Sequence, residues 1–397
     1  MSCHTSPSTE SLPDDALAQI LLRVPPHPTC LARASLAGKG LRRVITRPDF
    51  LRTFREHHHM TPPLLGFFHD DGNLPNNFLP VGDSPDRVSA AAFDPMEEAG
   101  WRVVDSRHGR VLLRSPDRLR FLVWEPMAGR RRYIDAPPPH DHGMDEEDQL
   151  QYRFSNAALV CTNGQEEGHS NCHDDCPLSV LFVVTPYLEW EGETTVVYLY
   201  SSEQELWNEV ASGDFSPLLI TQRPVVLLQN NVLYWTMALP SGMIQNSILA
   251  FELDSQRLYL IRQPAYIFDA EHAHVQVMEA EDGRLGVVAA CGLSLQLWVL
   301  HGYDGNDREL WVINRETFLY AELAPPEPIF GDYYLIWILG VEDNVVFVRT
   351  EAGIIEVDLQ TDKSKRLCDG YGIEALYPYR SFYRQGIGAG DGGNGQD

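Results

Sequence analysis

The residues of this 397-residue chain that could do chemistry gather in a few short runs. The densest is EEGHSNCHDDCP, which brings His169, Cys172, His173 and Cys176 together, with Cys161 upstream. Thiolates and imidazoles of this kind are zinc ligands, and a tetrahedral zinc site needs four of them. Only Cys172-x3-Cys176 makes a close pair of the usual sort. The run therefore reads as a solvated insertion between strands, and no metal is expected. The triplet His57-His58-His59 reads as the polar end of a helix. Carboxylates are abundant, but many fall in turns such as Asp254-Ser255 and Asp282-Gly283, where hairpins use them anyway. No G-x-S-x-G, Walker, H-E-x-x-H or G-x-G-x-x-G motif stands in its proper context. No set of residues offers a nucleophile, a base and an oxyanion donor together, so an independent enzyme is not expected, nor a cofactor.

What positions these residues is, for most of the chain, β-structure. From residue 63 onward, apolar runs of four to eight residues alternate with Gly, Pro, Asp and Asn, and aromatic and β-branched residues dominate them. The runs fall into fours. WRVVDS, RVLLRS, RFLVWEP and RRYIDAP cover 101–137, and further sets cover 157–210, 225–263, 275–316 and 335–369. The second strand of each set carries Val111, Phe182, Leu233, Val287 and Val346, at intervals of 51 to 71 residues. A four-strand unit at such a period is the mark of a β-propeller. A pair of β-sandwiches would use the same strands. LLGFF, NNFLP and RVSAAAF before the first set, and ALYPYRSFY after the last, supply a sixth blade closed by a C-terminal strand, which removes open sheet edges.

Composition limits the partners. Hydrophobic content of 44% with 10% aromatic is that of a globular chain. No apolar run reaches the roughly 18 residues of a membrane span. The segment MSCHTSPSTE has neither a basic nor an apolar region, so no secretory leader is expected. Seven scattered cysteines point to the reducing cytoplasm or nucleus. Residues 1–60 carry a balance of +3, against −25 for the whole chain, so the remainder is strongly acidic. An acidic body repels phosphate backbones, which argues against nucleic acid as a partner.

The segment 11–54 is different. Pro13 suits a first helical turn, Asp14 and Asp15 favour the positive end of the helix dipole, and Leu17, Ile20, Leu21 and Val24 share one helical stripe. Pro25, Pro26 and Pro28 end that helix and start a second through Leu31, Ala34 and Leu36. A third runs through Leu41, Val44 and Ile45, and Phe50, Leu51 and Phe54 mark a fourth. About 45 residues make a poor core without a staple or a partner. The pattern Leu12-Pro13-Asp14-Asp15, Leu17, Ile20-Leu21, Val24-Pro25, Leu31-Ala32-Arg33, Leu41-Arg42-Arg43, Pro48-Asp49-Phe50 resembles an F-box. The continuation Pro62-Pro63-Leu64-Leu65-Gly66-Phe67-Phe68 is similar to plant, especially grass, F-box proteins. Two positions depart from that pattern: Ala37-Gly38 stands for a Val-Cys pair and Leu41 for a Trp.

The resemblance implies an α+β multidomain chain in four parts. A disordered start covers 1–9, a helical F-box 10–60, a propeller of six four-stranded blades 61–384, and a disordered Gly-rich tail 385–397. It implies binding to a Skp-type adaptor, and through it a cullin, by Leu12, Pro13, Leu17, Ile20, Leu21, Val24, Pro25, Leu31, Leu36 and Leu41. The chain would then be the target-recognition subunit of a ubiquitin ligase, without catalysis of its own. A scaffold with no ligase role is the alternative. Target contact is expected on the propeller face away from the F-box. The loops there mix Tyr187, Trp190, Tyr266, Phe268, Phe330 and Tyr333 with Asp145, Glu146, Glu147 and Asp148, a surface suited to a basic protein segment.

Overall fold

The computed structural model describes residues 12–59, 61–69, 78–82, 87–93, 100–137, 155–161, 178–185, 194–215, 218–228, 231–238, 244–264, 274–319, 336–369 and 372–383. The N-terminal stripe folds as four short helices: α1 (Asp14–Leu21), α2 (Pro28–Ala37), α3 (Lys39–Ile45) and α4 (Pro48–His57). Pro28 and Pro48 open α2 and α4, where a missing N–H leaves no intrahelical bond unmade. His27 caps α2 by accepting the Thr29 amide at 3.4 Å. An exposed ion pair from Arg43 to Asp14 ties α3 to α1. Leu21, Leu31, Val44, Ile45, Phe50, Leu51 and Phe54 form the buried centre. Two residues from the far end of the chain, Phe382 and Tyr383, complete it.

The rest is a six-bladed, all-antiparallel β-propeller. Blade 1 consists of β1 (Leu64–His69) and β2 (Phe78–Pro80), with β24 (Leu376–Arg380) paired antiparallel to β1. Blade 2 holds β3 (Arg102–Arg107), β4 (Arg110–Arg114), β5 (Arg120–Glu125) and β6 (Arg130–Asp135). Blade 3 holds β7 (Ser155–Cys161), β8 (Leu178–Val184), β9 (Thr194–Ser201) and β10 (Leu206–Asp214). In blade 4 the first position is split into β11 (Leu219–Ile220) and β12 (Val226–Leu227), followed by β13 (Val232–Ala238), β14 (Ile244–Glu252) and β15 (Arg257–Arg262). Blade 5 runs β16 (His274–Glu279), β17 (Leu285–Cys291), β18 (Ser294–Tyr303) and β19 (Glu309–Phe318). Blade 6 runs β20 (Trp337–Glu342), β21 (Val345–Thr350), β22 (Gly353–Asp358) and β23 (Lys363–Cys368).

The innermost strands lie side by side around the axis: β24 against β3, β3 against β7, β7 against β11, β12 against β16, β16 against β20, and β20 against β24. One apolar cluster fills each space between neighbouring blades. Strands near the middle of a blade are buried on both faces, as β4 is throughout, so they read as continuous apolar runs. Outermost strands are open and charged, β23 (KSKRLC) most of all. Exposed Lys and Arg on an edge discourage pairing with another sheet.

One strand expected from sequence is absent. RVSAAAF forms a single 3-10 turn at Ala90–Phe93 instead, because three consecutive alanines offer a strand no β-branched or aromatic surface. Blade 1 therefore pairs three strands among the described residues. In blades 2, 3, 4 and 6 the residue just before the fourth strand is left-handed, and in blade 5 it is the second residue before it: Gly129, Glu205, Gln256, Asp307 and Asp362 all have φ between 53° and 67°. The hairpin geometry repeats while its residue type does not.

Candidate functional site

Residues 221–225 (TQRPV) interrupt the inner strand of blade 4 between β11 and β12. Pro224 has no N–H to give a ladder, so a regular strand cannot pass through this position. The carbonyls freed by the interruption are taken up by side chains from three other blades. Asn156 of β7 donates to the carbonyls of Thr221 at 3.0 Å and Arg223 at 2.8 Å. Gln276 of β16 donates to Pro224 at 3.0 Å. Arg107 of β3 reaches across from blade 2 to Val225 at 2.5 Å. The segment is thus fixed as firmly as a strand without being one.

Arg107 is itself held by buried Asp105, its Nε 2.9 Å from the carboxylate. Asp105 also accepts the Leu159 amide at 2.8 Å. Burial pushes the Asp105 carboxyl up, and Arg107 and the Leu159 amide pull it back down. This cluster belongs to the end of the axis where inner strands finish. Arg380, the last residue of β24, lies at the same end. It bonds Glu342 and, at 2.8 Å, Asp343, and it donates to the Pro62 carbonyl at 3.3 Å. Burial raises the Glu342 carboxyl, with Arg380 opposing. The helices join the propeller here, through residues 61–63 on one side and 381–383 on the other, where Ser381 donates to Pro63 at 3.3 Å.

At the other end of the axis, where inner strands begin, the described residues bring two guanidinium groups, Arg223 and Arg349, to one imidazole, His274. The 221–225 segment projects Arg223 toward the first residues of β16 and β20. Its Nη1 donates to the Ile338 carbonyl at 3.2 Å, and its Nη2 lies 2.6 Å from His274 Nδ1. Burial pushes the Arg223 guanidinium below its usual range, with Glu374 only partly offsetting. Arg349, opposite Trp337 in the β20–β21 ladder, stacks 4.6 Å from the Trp337 ring centre and donates to the Ile373 carbonyl at 2.8 Å. His274 meets Trp337 at 5.6 Å between ring centres. Burial, then Arg223 and Arg349, push the His274 imidazole down to about 3. It is therefore neutral at pH 7. With Nδ1 accepting from a guanidinium, its proton sits on Nε2.

The residues expected on the helices divide into two groups. Leu21 and Leu31 are buried in the helical unit's own core, and Leu17, Val24 and Leu41 are half-buried against it. Leu12, Pro13, Ile20, Pro25 and Leu36 are exposed, at 52% for Leu12, 51% for Ile20 and 83% for Leu36. The single stripe of α1 thus splits because the unit needs half of it for itself. Asp145, Glu146, Glu147, Asp148, Tyr187, Trp190, Tyr266, Phe268, Phe330 and Tyr333 lie outside the described residues, as do His169, Cys172, His173 and Cys176. Cys161 is buried in β7. Among the described residues no group of three or more His, Cys, Asp or Glu is placed to hold a metal, and no helix is long and apolar enough to cross a membrane. The Arg223–His274–Arg349 cluster escaped sequence reading because its members are far apart in the chain.

The family model described as "F-box protein AT5G49610-like, beta-propeller" matches residues 102–374. The chain belongs to that family. The match runs from the start of β3 to just before β24, so it contains Arg223, His274 and Arg349 and leaves the helices, β1, β2 and β24 outside. No curated protein matches the sequence. Among solved structures, the chain is similar to the oligogalacturonate lyase of Vibrio parahaemolyticus at 8% identity and a TM-score of 0.37, covering 69% of this chain and 66% of that one. It is also similar to the extracellular domain of BT4673 from B. thetaiotaomicron at 9% identity and a TM-score of 0.33, covering 77% of this chain and 36% of that one. Likenesses this distant bear on neither mechanism nor substrate.

Proposed function

We propose that the chain is the target-recognition adaptor of a Skp–cullin–F-box type ubiquitin ligase in the cytoplasm or nucleus, of the plant, grass-type lineage. The four helices are its F-box and dock on a Skp-type adaptor, which carries the cullin. The propeller holds a protein target on the face away from the helices, and β24 closes its ring. The chain itself is non-catalytic; its contribution to transfer is proximity alone, holding the target near a ubiquitin-carrying enzyme.

The observation that carries this reading is the exposure of Ile20 and Leu36 on a unit of four short helices. Large apolar side chains on so small a surface favour burial against a partner, each contributing about 1.5–3 kcal/mol. The unit's own core, by contrast, is already filled by Leu21, Leu31 and Phe54. Ile20→Asp with Leu36→Asp, both at exposed positions, should leave the melting temperature unchanged and abolish capture of a Skp-type adaptor in a pull-down. Undiminished capture by this double variant would leave only the second reading, a scaffold without a ligase. The acidic and aromatic residues of the connections on the opposite face, Glu146, Glu147 and Trp190 among them, are proposed to meet a basic target segment.

A further inference from the structure

The first and last strands of the propeller meet where the helices join it. Leu64, which opens β1, lies opposite Arg380, which ends β24. The stretches that lead from this pair to the helices are bonded to each other. The Ser381 amide donates to the Pro63 carbonyl at 3.3 Å, and Arg380 Nη1 donates to the Pro62 carbonyl, also at 3.3 Å. Arg380 is anchored in turn on blade 6, through Glu342 and, at 2.8 Å, Asp343. Ser381 is buried, and Phe382 and Tyr383 beyond it lie in the core of the helices.

That core is short of material without them. The four helices hold 8, 10, 7 and 10 residues. A lone helix needs about 12–15 residues to be even marginal in water, so these depend on packing. They supply seven buried apolar side chains to the cluster, and the far end of the chain supplies two more, both aromatic. Arg380 and Phe382 are two positions apart, and two residues of extended chain reach about 7 Å at most. Once Arg380 has moved from Leu64 by more than that, Phe382 has left the helices.

We propose that residues 381–383 couple the fold of the helices to closure of the ring. The helical unit completes its core only while β24 is seated on β1, and the folded helices in turn hold β24 in place. Such coupling is reciprocal, so a partner that binds only the folded helices favours the closed ring by the same factor. One consequence rests on the adaptor reading: only a chain with a closed ring presents Ile20 and Leu36 to the adaptor. The coupling itself needs no partner.

Native-state hydrogen exchange on the full chain, read by peptide mass spectrometry at rising urea, tests it. In the parent, the amides of α3, α4, β1 and β24 should converge on one shared opening. Phe382→Ala with Tyr383→Ala changes no residue of β1 or β24. It should nonetheless speed exchange in both strands, as well as in the helices, by roughly tenfold or more. Helices and β24 that open at separate urea concentrations in the parent would overturn the proposal, and that measurement decides even if the double variant does not fold. A folded double variant in which β24 keeps the parent rate would overturn it equally. An adaptor that fails to bind leaves these readouts in place and counts only against the adaptor reading.

Discussion

His274 shows how a side chain's chemistry is set by its neighbours rather than its type. In the unfolded chain its imidazole titrates near the ordinary 6.5, and in the folded chain near 3. Between those values the unfolded state binds the proton and the native state does not, so stability falls as pH drops through that window. The contribution is fully present above about pH 6.5, and it declines by at most about 1.4 kcal/mol per unit below it. Replacing His274 by Gln keeps an acceptor for Arg223 and removes the titration. Urea unfolding at a series of pH values from 7 to 4 should give a shallower loss for His274→Gln than for the parent. Equal slopes would mean that the imidazole is solvated and unperturbed. None of this was visible in the sequence: His274 stands between Ala273 and Val275, and Arg223 and Arg349 meet it only through the ring of blades.

Elements were the more legible scale. The short apolar runs cut by Gly, Pro, Asp and Asn mark the strands of blades 2 to 6, and the helical stripe with its prolines marks α1 to α4. Two features of the elements were hidden. One is the split of β11 from β12, since TQRPV differs from a strand only by its proline. The other is the recurring left-handed residue before each fourth strand, where Glu205, Gln256, Asp307 and Asp362 do what Gly129 does in blade 2. A side chain in that conformation costs about 1–2 kcal/mol, and glycine avoids it while losing more freedom on folding, about 0.5–1 kcal/mol. Gln256, at φ 53° in an exposed turn, is the cleanest position to test. Gln256→Gly should raise stability by up to about 1 kcal/mol in denaturant unfolding, and Gln256→Val should lower it, because a β-branched side chain tolerates this region least. A Val variant as stable as the parent would show that the turn relaxes elsewhere.

At the scale of the molecule, one strand joins parts that the sequence sets farthest apart. β24 pairs with β1 from the other end of the propeller and lies between β3 and β20. The approach to β20 is close enough that a Cβ on Gly340 would come 2.7 Å from the Leu376 carbonyl oxygen. Leu376, Tyr377 and Tyr379 are buried, and Tyr379 packs edge-on to Phe68 at 5.4 Å. Its last residue, Arg380, binds Glu342 and the Pro62 carbonyl, and past the strand Phe382 and Tyr383 enter the core of the helices. A chain ending at Asp369 loses all of these at once. Five large side chains at about 1.5–3 kcal/mol each approach the whole net stability of a typical domain, about 5–15 kcal/mol. The cut also leaves β1 with an unpaired edge, open to pairing with other chains. The truncated protein should therefore aggregate, or melt far below the parent, and its helices should become accessible to protease. A chain ending at Tyr383 keeps every one of these contacts and should melt with the parent. If the protein cut at Asp369 stayed soluble and melted with the full chain, β24 would be an accessory to the propeller, and the ring would be held by the four inner-strand contacts that do not involve it.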